Sequence, residues 1–259
     1  MSRASRARKR FGQHFLIDAS VVDAISAILA VRPQHHVIEI GPGRGALTAP
    51  LAAACDNLTV VEVDRDLAKT LRRRFPGVQV IEADVLRTDF AAISGGAVRV
   101  VGNLPYNIAA PVMMGLFDDC ANGLPMRDAH FMLQAEMADR LAAPPGTRAR
   151  GRLSVIAQYH CDIELLLTVE AAAFWPPPKV TSKFVRLVPR KPPVFARDMA
   201  ALHTVVRTAF GQRRKRLGNA LKSLDLDLST LGVDPGARAE EMGVSDFVAM
   251  SNQLHGRGV

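Results

Sequence analysis

Two hydrophobic rhythms alternate along the chain as far as residue 142. Short β-branched runs at 37–40, 58–63, 78–81, 97–101 and 130–133 each read as a buried strand. Between them lie stretches with apolar residues three and four apart, at 46–54, 66–75, 109–117 and 134–142, which read as helices. An earlier helix is expected after Asp18 as N-cap, with Val21, Val22, Ile25, Ile28 and Leu29 on its apolar face and Pro33 closing it. Strands spaced by helices imply right-handed crossovers and a mostly parallel sheet. Two further strand-like runs, 163–169 and 182–188, flank Phe174-Trp175-Pro176-Pro177-Pro178, and so short a link suits antiparallel pairing at a sheet edge. The expected sheet therefore has seven strands. Beyond three prolines between residues 189 and 193 the pattern is helical only, with one helix expected from about Met199 to Leu224. The expected organisation is an α/β domain at 1–190, beginning with a basic arm at 1–10, and a small all-α domain at 191–259.

Residues with useful chemistry gather where these strands end. Glu39-Ile40-Gly41-Pro42-Gly43-Arg44-Gly45 follows the first strand, and glycines let a backbone pass close to a ligand while the next helix offers free N–H groups. The spacing is G-x-G-x-G, not the G-x-G-x-x-G of dinucleotide sites, and Glu39 suits an ammonium group better than a pyrophosphate. Glu62 ends the second strand, at the usual offset for a carboxylate that holds ribose hydroxyls. Asp84 closes the third and is placed to accept from an adenine amino group. The fourth runs through Gly102 into Asn103-Leu104-Pro105-Tyr106. Alone, that tetrapeptide reads either as a turn with a half-buried tyrosine or as a grip on the exocyclic amine of a nucleobase. In the second reading an amide and a carbonyl accept the amino hydrogens and a ring stacks on the base. All four features sit at carboxyl ends of strands, where open α/β sheets build their sites. The ligand that fits them together is S-adenosylmethionine, an adenosine with an amino-acid tail and no phosphate.

Composition narrows the partners. With 259 residues, 48% of them hydrophobic and 22% charged, the chain buries a full core. A net charge of +8 favours a polyanion, nucleic acid ahead of a membrane surface. No acid lies between Asp198 and Asp225, whereas Arg207, Arg213, Arg214, Lys215, Arg216 and Lys222 are basic; Arg148, Arg150 and Arg152 form a second set. Cys55, Cys120 and Cys161 lack ligand spacing, which points to a reducing cytosol and to neither a disulfide frame nor a metal site. No apolar run is long enough to span a bilayer, and no signal-type segment follows the basic start, so a cytoplasmic location is expected.

With these residues in view the chain resembles the ribosomal RNA adenine N6-dimethyltransferases, most closely their bacterial small-subunit branch, over almost its whole length. The matching stretches are Lys9-Arg10-Phe11-Gly12-Gln13, Glu39 to Thr48, Gly102 to Ile108, His130 to Gln134, Gly151-Arg152-Leu153-Ser154, Phe174 to Val180 and Gln212-Arg213-Arg214-Lys215. The resemblance implies a Rossmann-like S-adenosylmethionine-dependent methyltransferase fold. Its cofactor positions fall on His14, Leu16, Gly41, Glu62, Asp84 and Asn103, with Gly43 in the same turn. A flipped adenine is expected between Tyr106 and Phe174, gripped by the Asn103 side chain and the Leu104 carbonyl. The implied reaction is dimethylation of two adjacent adenosines in the 3′-terminal hairpin of small-subunit (16S) rRNA, within an immature small ribosomal subunit. It needs no metal and nothing larger than a monomer. Two positions depart from the family pattern: His14 stands where Asn is frequent, and Trp175 where a small polar residue is common. Other readings stay open. One is an assembly factor that binds immature subunits with methylation secondary; others are a large-subunit rRNA methyltransferase and, more weakly, a DNA adenine methyltransferase. The stretches at 174–180 and 212–215 favour the small-subunit type.

Overall fold

The computed structural model describes residues 13–212 and 214–256. It begins with a two-residue strand, β1 (Phe15–Leu16), and helix α1 (Ala19–Leu29). The expected cap is present: the Asp18 carboxylate accepts from the backbone N–H groups of Ser20 and Val21, a contact worth about 1 kcal/mol. Ile25 and Leu29 bury the apolar face. The alternation then runs β2 (His36–Ile40), α2 (Thr48–Ala54), β3 (Asn57–Glu62), α3 (Arg65–Arg74), β4 (Gln79–Glu82), α4 (Phe90–Ser94), β5 (Val98–Asn103), α5 (Ala109–Ala121), β6 (Met126–Gln134) and α6 (Ala135–Ala142). After α7 (Arg152–His160) come β7 (Cys161–Val169), β8 (Phe174–Trp175) and β9 (Ser182–Pro189), and then α8 (Met199–Gly211), α9 (Leu217–Ala220) and α10 (Val244–Gly256).

Seven strands form one sheet in the order β4-β3-β2-β5-β6-β9-β7. The β2/β3, β2/β5, β3/β4 and β5/β6 pairs are parallel, and β9 runs antiparallel to β6. The chain builds β3 and β4 on one side of β2 and then returns to lay β5 on the other. Strand order therefore reverses between β2 and β5, the place where open sheets leave a crevice. Gly102 marks how tightly those two strands pack there: a Cβ at this position would lie 2.9 Å from the Ile40 carbonyl oxygen.

Three features differ from the sequence expectation. Phe15 pairs with Trp175 and Leu16 with Phe174 in a separate antiparallel ribbon, β1/β8, which two-residue strands cannot announce by periodicity. Residues 152–160 form a helix where the sequence pattern predicts no element; Val155, Ile156, Ala157 and Tyr159 are among its buried positions. The single helix expected from Met199 to Leu224 is interrupted after Gly211, because Gln212 to Arg216 are all polar and leave no apolar anchor before Leu217.

Contacts divide the chain into two units. One runs to Ala138 and includes Ile163–Pro189, and so carries the sheet. The other comprises Asp139–Asp162 and the chain from Arg190 onward. The chain crosses between the units three times, the last time between Pro189 and Arg190. The excursion at 139–162 groups with the helices, since α7 packs on α8 and α10. Among the described residues no helix is long and apolar enough to cross a membrane.

Candidate active site

A cavity of about 280 Å³ opens at the carboxyl ends of the central strands. His14, Leu16, Gly41, Gly43, Glu62, Asp84, Asn103, Leu104 and Tyr106 all line it, so the sequence-predicted cofactor set converges. The turn after β2 holds Gly41 at φ +64° and Gly43 at φ +57°, and a Cβ on Gly43 would meet the Phe15 ring at 2.9 Å. Glycine is the residue that accepts both demands.

Two buried carboxylates brace this turn. Glu62 accepts from the Gly43 N–H at 3.1 Å and from the Asp64 N–H at 2.9 Å, which ties the end of β3 to the glycine turn. Burial holds its carboxyl above the usual range. Glu39 accepts the Thr48 hydroxyl at 2.6 Å. Its carboxyl is pushed up to about 8 by burial, against the Thr48 hydrogen bond and with a further push from the Glu62 charge. Asp84 accepts from the Leu86 N–H at 3.0 Å through one oxygen. Three carboxylates and one guanidinium, that of Arg44, thus line the cavity beside apolar walls that include Leu16, Ile40 and Val61. Such a balance suits a cationic ligand with a flat apolar ring and disfavours a phosphate.

The tetrapeptide after β5 is fixed by partners distant in sequence. Asn103 Nδ2 donates to the His14 carbonyl at 2.8 Å. A carbonyl only accepts, so this contact sets the amide orientation and leaves Oδ1 as the free acceptor. His14 Nδ1 donates to the Pro176 carbonyl at 2.7 Å, and the His14 ring stacks near Tyr106, 5.8 Å between centroids at 26°. The Tyr106 hydroxyl meets Ser182 Oγ at 2.8 Å, and burial raises its pKa. His14 therefore makes contacts through its carbonyl as well as its ring. The Leu104 side chain is buried.

Other expected residues lie elsewhere. Phe174, expected to stack on the base, is buried with Leu16 in the hydrophobic core and does not line the cavity. Alternation along β8 turns Phe174 inward and Trp175 outward. Arg150 was grouped with the RNA-facing cations, but it is fully buried. Its Nε donates to the Met242 carbonyl at 3.0 Å and Nη1 to Ala143 and Gln158 at 2.8 Å each, so it clamps the loop before α7. Arg148, Arg152, Arg207, Arg214, Lys215, Arg216 and Lys222 are exposed and all belong to the second unit. Arg213 and the 1–10 arm lie outside the described residues. Thr48, Ser182 and Arg44 were missed; Arg44 and Thr48 both lie within the stretch from Glu39 to Thr48, whereas Ser182 reaches Tyr106 across 76 residues. Cys55, Cys120 and Cys161 are free thiols, and among the described residues no metal-ligating cluster forms.

A second cavity, of about 290 Å³, lies at the amino ends of the strands and includes Arg99, Asp128, His130 and Arg186 in its lining. Arg99 grips Asp128 with two hydrogen bonds, of 2.8 and 3.0 Å, and donates to the Leu29 carbonyl at 2.6 Å. His130 Nδ1 lies 3.6 Å and Arg186 Nη2 3.9 Å from the same carboxylate. Burial holds the His130 imidazole down to about 4.

Comparison with known proteins matches this architecture. The sequence model of the family described as "Ribosomal RNA adenine dimethylase" matches residues 4–255. A "Ribosomal RNA small subunit methyltransferase A" of Methylibium petroleiphilum is 52% identical over 252 residues, covering 96% of each chain. The crystal structure of a dimethyladenosine transferase from Plasmodium falciparum superposes with a TM-score of 0.81 at 22% identity, over 95% of this chain and 99% of that one. The 23S rRNA methyltransferase ErmE superposes with a TM-score of 0.68 at 25% identity, over 93% and 99%. A methyltransferase sheet whose strand ends carry the glycine turn, the acids and the Asn-Leu-Pro-Tyr grip is thus matched in sequence over nearly its full length, and the chain belongs to the ribosomal RNA adenine dimethylase family.

Proposed function

We propose that the chain dimethylates the N6 amines of two adjacent adenosines in the 3′-terminal hairpin of small-subunit rRNA, with S-adenosylmethionine as methyl donor, acting as a monomer on immature small subunits in the cytoplasm. The observation that carries this reading is the fixed Asn103 amide, whose Oδ1 is left as an acceptor in a cavity lined by Glu39, Glu62 and Asp84. The residues present fit the cofactor. Its ammonium and sulfonium charges match a buried carboxylate held at about 8, which a cation would return to its ionised form. Glu62 suits the ribose hydroxyls and Asp84 the adenine amino group. When bound, the cofactor supplies an electrophilic methyl.

The work of the protein is positioning. The target adenine leaves its stack to enter the cavity, and Tyr106 offers a ring held by His14 and Ser182. Asn103 Oδ1 and the Leu104 carbonyl accept the two amino hydrogens, which localises the N6 lone pair away from the ring and toward the methyl. No base is required at the start, because the N6 proton becomes acidic only after transfer and then leaves to solvent. A monomethylated amine keeps one hydrogen and is still held; the dimethyl product has none, so the grip is lost and release follows. Preorganised acceptors of this kind typically contribute about a hundredfold to a thousandfold in rate.

The sheet unit carries this chemistry, and the exposed cations of the second unit serve as phosphate contacts that set affinity and salt dependence without reading sequence. Mass spectrometry of rRNA from a cell lacking the chain tests the reading: two neighbouring adenosines of small-subunit rRNA should lose their methyl groups. Loss in large-subunit rRNA instead would overturn it, and binding of unmodified subunits without incorporation of labelled methyl would favour a pure assembly factor.

A further inference from the structure

The chain has one tryptophan, Trp175, and it is 45% exposed beside the cavity. Three contacts hold it in place. It pairs across the β1/β8 ribbon with Phe15. The Arg44 guanidinium lies over both rings, 4.6 Å from the Phe15 centroid and 4.9 Å from that of Trp175. The next residue, Pro176, accepts from His14, whose ring stacks on Tyr106. Arg44, Phe15, His14 and Tyr106 all line the cavity, so the indole is fastened to the cavity rim while much of it faces solvent. The stacked guanidinium restricts its orientation. An exposed aromatic set in this way is a preformed stacking platform, and nothing in the grip on N6 makes use of it.

We propose that Trp175, steadied by Arg44, is a subsite for the unpaired nucleobase that neighbours the target in the RNA strand. This rests on the function proposed above. Flipping one base strips a stacking partner from the next, and a π-face at the rim replaces it. The reaction takes two adjacent adenosines, so whenever one occupies the cavity the other lies a single nucleotide away. Trp175 touches no reacting atom; it positions the strand and favours a purine neighbour, which offers the larger face.

A lone tryptophan makes the test direct. Wild-type protein is titrated with an RNA hairpin bearing two adjacent loop adenosines, and with the same hairpin carrying an abasic neighbour, while indole fluorescence is followed. The subsite predicts quenching by the first and little by the second. With unmodified small subunits, Trp175→Ala should raise KM about tenfold with kcat nearly unchanged, and Trp175→Phe should restore most of the loss. Cofactor affinity and melting temperature should hold in both variants. Equal quenching by both hairpins, or an unchanged KM in Trp175→Ala, overturns the subsite while leaving the proposed function intact. Parallel losses of melting temperature and cofactor affinity assign Trp175 a merely structural role and also overturn it. If the wild type itself transfers no methyl to small subunits, the proposed function fails and the subsite falls with it.

Discussion

The two ends of the sheet hold cavities of nearly equal volume, about 280 and 290 Å³, built from opposite logic. At the amino end the polar residues are direct cross-strand partners: Arg99 faces Asp128 on β5 and β6, and His130 faces Arg186 on β6 and β9. Register sets the Asp128 carboxylate among Arg99, His130 and Arg186, and Arg99 and Asp128 close on one another. At the carboxyl end Glu39, Glu62, Asp84 and Asn103 stand on or beside the last residues of their strands, where the loops diverge. They are braced mainly by backbone groups and by Thr48, with acceptors left over. Volume does not separate a binding site from a structural void here; what each polar group is bonded to does.

The contrast can be broken at either end. Asp128→Asn leaves the Arg99 guanidinium buried without its countercharge, and should remove about 3–5 kcal/mol of stability in urea unfolding. The fraction still folded should transfer methyl groups at the wild-type rate; a selective loss of catalysis would mean that the amino end also serves the reaction. At the other end Asn103→Ala should reduce methyl transfer about a hundredfold to a thousandfold, with cofactor binding and melting temperature close to wild type. Wild-type turnover in that variant would erase the distinction.

Titration gives a smaller effect whose sign differs between the ends. The Glu39 carboxyl ordinarily titrates at 4.5 and is held at about 8 in the folded chain. Its contribution to stability is full below pH 4.5 and is lost as pH rises to about 8. His130 ordinarily titrates at 6.5 and is held down to about 4, so its contribution is full above pH 6.5 and is lost as pH falls to about 4. Melting curves of cofactor-free protein from pH 4 to 9 should therefore flatten on the alkaline side in Glu39→Gln and on the acid side in His130→Gln. Unaltered profiles in both would contradict these assignments. The smallest effect applies the same bonding criterion to the helical unit. Charge reversal at exposed Arg207 and Arg214 should weaken binding to small subunits and flatten its salt dependence by about one to two units of slope. Arg150→Met should lower the melting temperature and leave that slope unchanged.

Much of the carboxyl end was legible because strand period and strand-end chemistry are local. Each β-branched run ends within three residues of a candidate site residue, so Gly41, Glu62, Asp84 and Asn103 could be grouped before any contact was known. What escaped was non-local. A two-residue ribbon has no period, and only pairing across about 160 residues sends Phe174 inward and Trp175 outward. Arg150 looked like a surface cation because its neighbours Arg148 and Arg152 are, yet three acceptors meet it in the interior. The polar stretch after Gly211 matched a basic helix in composition, but lacked the apolar anchors that keep a helix on its core.

The hydrogen bond from Asn103 to the His14 carbonyl has a consequence for synthesis on the ribosome. It joins residues 89 positions apart, and His14 is in turn fastened to Pro176, 162 positions away. A growing chain can assemble β2 to β5 early, but its amide has no assigned direction until the ribbon partner has emerged. The series of contacts that orients the Asn103 amide is therefore complete only once Pro176 has been made.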